Sequence, residues 1–176
     1  NLSEKNKVEI FVAEKDVKGY AKKNKLSVEE AGRILRYKEL ERIADKKLFA
    51  KIATAHNASD NAETVLLNLI KGTGLKGLSG IPVQRDKIIR PLLNLTSDEI
   101  RYYLKVKKFD YRLDTSNISL DYERNYLRNE IIPKLKERIN PKVEQKILSS
   151  SRIIRKTRVF FENQIAVVAQ SAVKFS

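Results

Sequence analysis

Apolar positions recur along this chain with two different periods, and the alternation between them predicts its elements. Val8 to Val12 (VEIFV) is a short β-branched and aromatic run that reads as a buried strand. Ser27-Val28-Glu29-Glu30 has the S-x-x-E form of a helix start. Ala31, Ile34, Leu35, Leu40 and Ile43 then follow at helical spacing, so a helix is expected from about Ser27 to Ala44. Lys51 to Ala55 reads as the next strand, ending on His56. Asp60 to Glu63 opens a helix whose apolar face is Ala62, Val65, Leu66, Leu69 and Ile70.

Lys71 to Gly80 (KGTGLKGLSG) holds four of the six glycines and reads as a backbone-driven loop with no helix in it. Lys87 to Arg90 is a strand stopped by Pro91. Thr96-Ser97-Asp98-Glu99 begins a helix that closes on Lys105, Lys107 and Lys108, matching the macrodipole at both ends. A further helix spans about Tyr122 to Ile139 with a bend at Pro133, and a last one runs from about Val143 to Ala169. Strands alternating with helices imply an α/β fold, here a partial parallel sheet with flanking helices followed by a helical C-terminal part. Ligands in such folds bind beyond the carboxyl ends of the strands, and His56 leaves its strand at such a place.

Composition narrows the function classes. The 176 residues are 41% apolar and 33% charged, and no apolar run approaches the ~18 residues of a membrane span. Without cysteine there are no disulfides, thiolate nucleophiles or Cys-based metal centres, which suits a reducing cytoplasm. Thirty-six Lys and Arg against 22 Asp and Glu leave a charge of +14, an excess that points to a polyanionic partner. Arg124 to Arg158 alone carries eleven Lys and Arg against three Glu, which makes this stretch the first candidate for phosphate contacts. The bland alternative is a set of solvated helix faces.

The densest polar cluster is His56-Asn57-Ala58-Ser59-Asp60-Asn61-Ala62-Glu63-Thr64. A lone histidine is more often a structural hydrogen-bonding residue than a catalyst, and Asp60 reads equally well as a helix cap. Asp60 and Glu63, however, lie three apart on one helix face, and a cap requires only one of them. Paired carboxylates at a strand end can hold Mg²⁺ beside a phosphate or orient a nucleophilic amine.

The stretch Ala53 to Gly80 (ATAHNASDNAETVLLNLIKGTGLKGLSG) closely resembles the segment that follows the nucleotide loop in tRNA(Ile)-lysidine synthetases of the ATP-pyrophosphatase, or PP-loop, superfamily. Four more stretches match in the same order: Ser27 to Tyr37, Ile88 to Leu93, Asp114 to Asn117, and Arg124 to Arg128. The resemblance implies an adenine nucleotide alpha hydrolase-like, Rossmann-type domain over residues 1–115, with residues 116–176 as a basic helical extension. It also implies an ATP- and Mg²⁺-dependent ligase. Such an enzyme adenylates the C2 oxygen of the wobble cytidine in an isoleucine tRNA, and the ε-amine of free lysine then displaces AMP.

Carried over position by position, Asp60, Arg128 and His56 would be catalytic. Glu63, Asn57, Arg36, Arg124, Lys71, Gly72, Thr73 and Gly74 would bind substrate or nucleotide; metal ligands are not assigned. A carboxylate suits an incoming ammonium, and an arginine fork suits phosphate, although each arginine could equally form an internal ion pair. The resemblance further suggests a homodimer and no membrane partner.

The chain departs from the family at several points. It contains no S-G-G-x-D-S string, so by itself it is expected not to turn over ATP, and with Asn1 first and no methionine it is expected to begin downstream of its start. Asn57 and Asn129 stand where histidines are usual, which keeps hydrogen bonding and removes a titratable group. Two alternatives remain. One is a tRNA thiolation enzyme of the same superfamily, whose usual cysteines are missing here; the other is a basic RNA-binding module without catalysis.

Overall fold

The computed structural model describes residues 2–48, 51–111 and 122–173, and the chain divides into two compact units, Asn1–Ile52 and Ala53–Ser176. The Asp114 to Asn117 motif and the expected domain boundary beside it lie outside the described residues.

The first unit contains α1 (Leu2–Asn6), α2 (Val17–Asn24) and α3 (Val28–Lys46). Asp16 caps α2 by accepting from the Gly19 amide at 2.9 Å, and Lys25 in the left-handed region ends it. Ser27 caps α3 as its spacing predicts, its hydroxyl accepting from the Glu30 amide at 3.1 Å. Small residues let these helices approach, since Ala21 and Ala31 are buried and a Cβ on Gly32 would already touch Val17. Arg42 and Lys15 both bind Glu39 and hold its carboxyl down to about 2.

Val8 to Val12 is not a strand. The segment has no regular structure, and Val8, Ile10, Phe11 and Val12 are exposed, Val12 by 85%. β-branched side chains favour a pleated surface only where a sheet exists to pack them, and the described sheet does not include this run.

β1 (Ile52–Ala53) stands at the boundary, and the second unit then holds α4 (Ala58–Lys71), α5 (Leu75–Leu78), β2 (Gln84–Arg85), β3 (Ile88–Ile89), α6 (Ser97–Val106), α7 (Tyr122–Tyr126), α8 (Ile132–Arg138) and α9 (Val143–Val173). The fold is α/β as expected, but the sheet is smaller than expected, with strand order β1-β3-β2. β2 and β3 form an antiparallel hairpin in which Gln84 faces Ile89 and Arg85 faces Ile88. The expected parallel arrangement therefore does not hold for this pair, because a two-residue connection can join only antiparallel strands.

Two further expectations are corrected. The glycine-rich stretch is not helix-free: Leu75–Leu78 forms one turn, which Ser79 closes by donating to the Leu75 carbonyl at 2.6 Å. The helix expected to run unbroken to Ile139 is interrupted ahead of Pro133 by a π-helical turn over Leu127–Ile131, between α7 and α8. Proline offers no amide and crowds the carbonyl four residues back, that of Asn129; widening the helix just before it relieves both problems. No helix of the described residues is long and apolar enough to cross a membrane.

In this unit α4 packs against α9, and Ala58, Ala62, Val65, Leu93, Leu127, Ile132 and Leu148 are buried in its core. A polar node is built into this interface. Asn61, fully buried, accepts from the Ile81 amide at 2.7 Å and donates to the Ser151 hydroxyl at 3.2 Å. Gly80 has φ +62, and a Cβ there would stand 2.3 Å from the Asn61 carbonyl oxygen, so this position requires glycine. Arg155 of α9 closes the node by donating to the carbonyls of Ser79 and Ile81.

Candidate functional site

The site forms at the N-terminus of α4. Asn57 and Asp60 make a reciprocal cap: the Asn57 side chain accepts from the Asp60 amide at 3.0 Å, and Asp60 Oδ2 accepts from the Asn57 amide at 2.9 Å. One turn along, Glu63 projects from the same face. Thr96 and Glu99 cap α6 in the same way, and the Ser97 amide donates to Ser59 Oγ at 3.0 Å. Two helix starts are thereby fixed side by side. The amides of Ala58, Asp60, Ser97 and Glu99 are already taken, by the Leu95 carbonyl and by the Asn57, Ser59 and Thr96 side chains, which narrows what either helix start can offer a phosphate.

Arg128 reaches this face from the π turn. Its Nε donates to Glu63 Oε1 at 2.6 Å and its Nη2 to Glu63 Oε2 at 2.9 Å, a two-point fork, while Nη2 also lies 3.2 Å from Asp60 Oδ1. Exposure separates the roles of the two carboxylates. The Glu63 side chain is 3% exposed, that of Asp60 is 29% and that of Arg128 is 47%. Burial pushes the Glu63 carboxyl above its ordinary value, and Arg128 opposes that shift by favouring the charged form. Glu63 is therefore the anchor, and Asp60 is the carboxylate that a ligand can reach.

A cavity of about 520 Å³ opens onto Asn57, Asp60, Glu63 and Arg128. Four of the residues picked out from the sequence are thus brought together, from two motifs more than sixty positions apart. Arg124 stands beside them, its Nη2 3.5 Å from the Thr64 hydroxyl, which itself donates to the Asp60 carbonyl at 2.8 Å. Lys71, at the other end of α4, pairs with Glu123. Gly72 has φ +76 and Gly74 has nothing within 4 Å of its Cβ position, so both remain approachable. The Thr73 side chain folds back on Gly77. His56 Nδ1 shares a hydrogen bond of 2.9 Å with Thr54 Oγ1, and His56 is not among the residues lining the cavity. Arg36 belongs to the first unit, where it lines a groove with Phe11 and Glu39.

Asn129, one of the two positions where the family usually has histidine, also lines the cavity, together with Ser97, Asp98, Arg101 and Lys136, whose place in the site no local pattern reveals; Lys136 bridges Asp98 at 2.8 Å and buried Glu144 at 2.7 Å. Burial works against the charge on Lys136; the two carboxylates outweigh it and raise its pKa. Asp98 and Lys136 look like a helix-start acid and a surface lysine in the sequence, and only the tertiary fold joins them.

A PP-loop domain model matches residues 1–135, and the chain belongs to that family. Within it, the chain is similar to the tRNA(Ile)-lysidine synthase of Thermosipho africanus, with 47% identity over 148 residues, 84% of this chain and 34% of that protein. Its namesake in Porphyromonas gingivalis is 42% identical over 83% of this chain and 32% of its own length; the one in Petrotoga mobilis is 39% identical over 85% and 48%. The chain thus spans a third to a half of the length of these curated relatives. In fold it is similar to the U34-tRNA thiolase NcsA of Methanococcus maripaludis, with TM-score 0.67 and 20% identity over 87% of this chain and 54% of that one.

Proposed function

We propose that this chain supplies the tRNA-facing half of the catalytic site in an ATP-dependent ligase that joins free lysine to the wobble cytidine of an isoleucine tRNA. The observation that carries the reading is the meeting of Asp60 and Glu63 with Arg128, because it joins the two motifs most characteristic of the resemblance in one cavity.

In the proposed reaction the C2 oxygen of cytidine attacks the α-phosphorus of ATP and pyrophosphate leaves. The lysine ε-nitrogen then attacks C2, the C2–O bond breaks and AMP departs with its electron pair. The amine must lose protons in this step, and Asp60, exposed to the cavity, is placed to accept one. Glu63 holds Arg128 over the site, where its half-exposed guanidinium offers positive charge to phosphate oxygens. Asn57 orients Asp60 through their shared cap. His56, Arg36, Arg124, Lys71 and the Gly72 to Gly74 turn are proposed as outer contacts to nucleotide or tRNA.

No group of three or more His, Cys, Asp or Glu among the described residues could hold an ion by itself, so the Mg²⁺ of this reading would be held chiefly by the ATP phosphates, with Asp60 as the carboxylate within reach. A cytoplasmic location and a homodimer go with this reading. It is tested by incubating isoleucine tRNA with the protein in its natural full length and analysing the nucleosides by mass spectrometry. Lysidine that forms only with both ATP and lysine supports the reading; thiolated nucleoside, or none, contradicts it.

A further inference from the structure

Of the eleven Lys and Arg between Arg124 and Arg158, seven have partners within the fold. Arg124 and Arg128 are tied to α4, Lys134 to Glu130, Lys136 to Asp98 and Glu144, Arg152 to Asn94, Arg155 to loop carbonyls and Arg158 to Glu162. Arg138, Lys142, Lys146 and Lys156 are exposed and have no side-chain partner among the described residues.

Three of these four share one face of α9. The Lys146 amide donates to the Lys142 carbonyl at 3.0 Å, so Lys142 is already in helical register. At about 100° per residue, Lys142, Lys146 and Lys156 fall within an arc of roughly 80°, while Glu144, Leu148, Ser151 and Arg155 lie on the opposite side. That opposite side is the one packed on the rest of the unit, through buried Glu144, Leu148 and Ser151. The lysine face carries no carboxylate, since Glu144 points inward and Glu162 lies on the inner side paired with Arg158. It runs about 21 Å along the helix at 1.5 Å per residue. Lys142 and Lys146 lie about 6 Å apart along the axis, closer than a Debye length, and so act on a ligand together, while Lys156 extends the face by about 15 Å to a further phosphate.

We propose that this outward face of α9, continued by Arg138 at the end of α8, is a docking surface for the sugar–phosphate backbone of RNA. Along α9 its charge is uniform in sign, without a side-chain partner among the described residues, and linear, which complements a chain of phosphates. The inference rests on the reading of this protein as one that acts on tRNA, and it names the surface that positions the substrate from outside the catalytic cavity. Contacts from lysines to phosphates position a nucleic acid without reading its bases, so the proposed contact is independent of sequence.

The test is RNA affinity as a function of salt, measured on the chain with a tRNA transcript. The variants are the triple substitution Lys142→Gln, Lys146→Gln, Lys156→Gln and a control, Lys105→Gln, Lys107→Gln, Lys108→Gln, which removes equal charge near the end of α6. Each phosphate contact contributes about 0.7 to 0.9 to the slope of log K against log salt, so the first variant should flatten the slope by about 2 and the control should leave it near wild type. Equal flattening by both would show a net-charge effect alone and overturn the proposal. An unchanged slope in the first variant overturns it as well, and wild-type binding in that case leaves the tRNA reading intact. If the wild-type chain binds anionic vesicles and not RNA, both the surface and the reading beneath it fail.

Discussion

Arg128 and Glu63, 65 positions apart, are joined by a fork of 2.6 and 2.9 Å in which the carboxylate is nearly buried and the guanidinium half exposed. Removing one partner from such a pair leaves the other uncompensated, and here the group left behind is the buried one. Arg128→Ala is therefore expected to cost about 2 kcal/mol at neutral pH, below the 3 to 5 typical of fully buried pairs because the arginine keeps part of its hydration. The cost should depend on pH. Burial raises the folded-state pKa of Glu63 above its ordinary 4.5, so the carboxyl binds a proton more readily folded than unfolded, and acid relieves the unpaired charge. Urea unfolding at pH 7.5 and pH 5 should show the gap between wild type and variant narrowing at the lower pH. A gap that widens in acid would mean that Glu63 is not the group left unpaired.

Glycines in the 72–80 turn should differ sharply in tolerance. Gly80→Ala would put a Cβ 2.3 Å from Asn61 and 2.9 Å from Val65 at φ +62, and a loss of about 2 kcal/mol or more is expected. Gly74→Ala has open space and an ordinary φ of −82, so it should stay within about 0.5 kcal/mol of wild type. Thermal unfolding of the two variants side by side checks the contrast.

Asn61 binds the Ile81 amide and the Ser151 hydroxyl at the α4–α9 interface. Asn61→Ala leaves that half-buried amide without its acceptor and should cost about 1 to 3 kcal/mol. Ser151→Ala removes a donor to the Leu148 carbonyl and one acceptor, and should cost less, about 1 kcal/mol. A double-mutant cycle should show coupling between them, since they share a bond.

What the sequence revealed divides by range. Helix starts were legible because their chemistry is local: Ser27 with Glu30, and Thr96 with Glu99, each lie within one turn. The cap of α4 is Asn57 and not Asp60, yet Asp60 completes that cap from the third helical position and also lines the cavity, so its two readings do not compete. Val8 to Val12 misled because β propensity describes a fit to a sheet surface, which this run does not have. The π turn could be anticipated only as a bend at Pro133, since proline disturbs a helix without dictating how the preceding residues respond. The partners of Arg128, Lys136 and Arg155 lie between 8 and 76 positions away, and no local pattern records them. The basic stretch consequently looked like one patch, whereas most of its cations hold the fold together.

The site's central claim is that Asp60, held by Asn57 and neighbouring the Glu63–Arg128 pair, acts directly on the lysine amine. The decisive measurement is the rate of lysidine formation in isoleucine tRNA by the full-length protein carrying Asp60→Asn, an isosteric change that keeps an oxygen for the Asn57 cap, with its unfolding midpoint measured in parallel. The account predicts a rate at least about 100-fold below wild type with the midpoint nearly unchanged. A wild-type rate in this variant would contradict it.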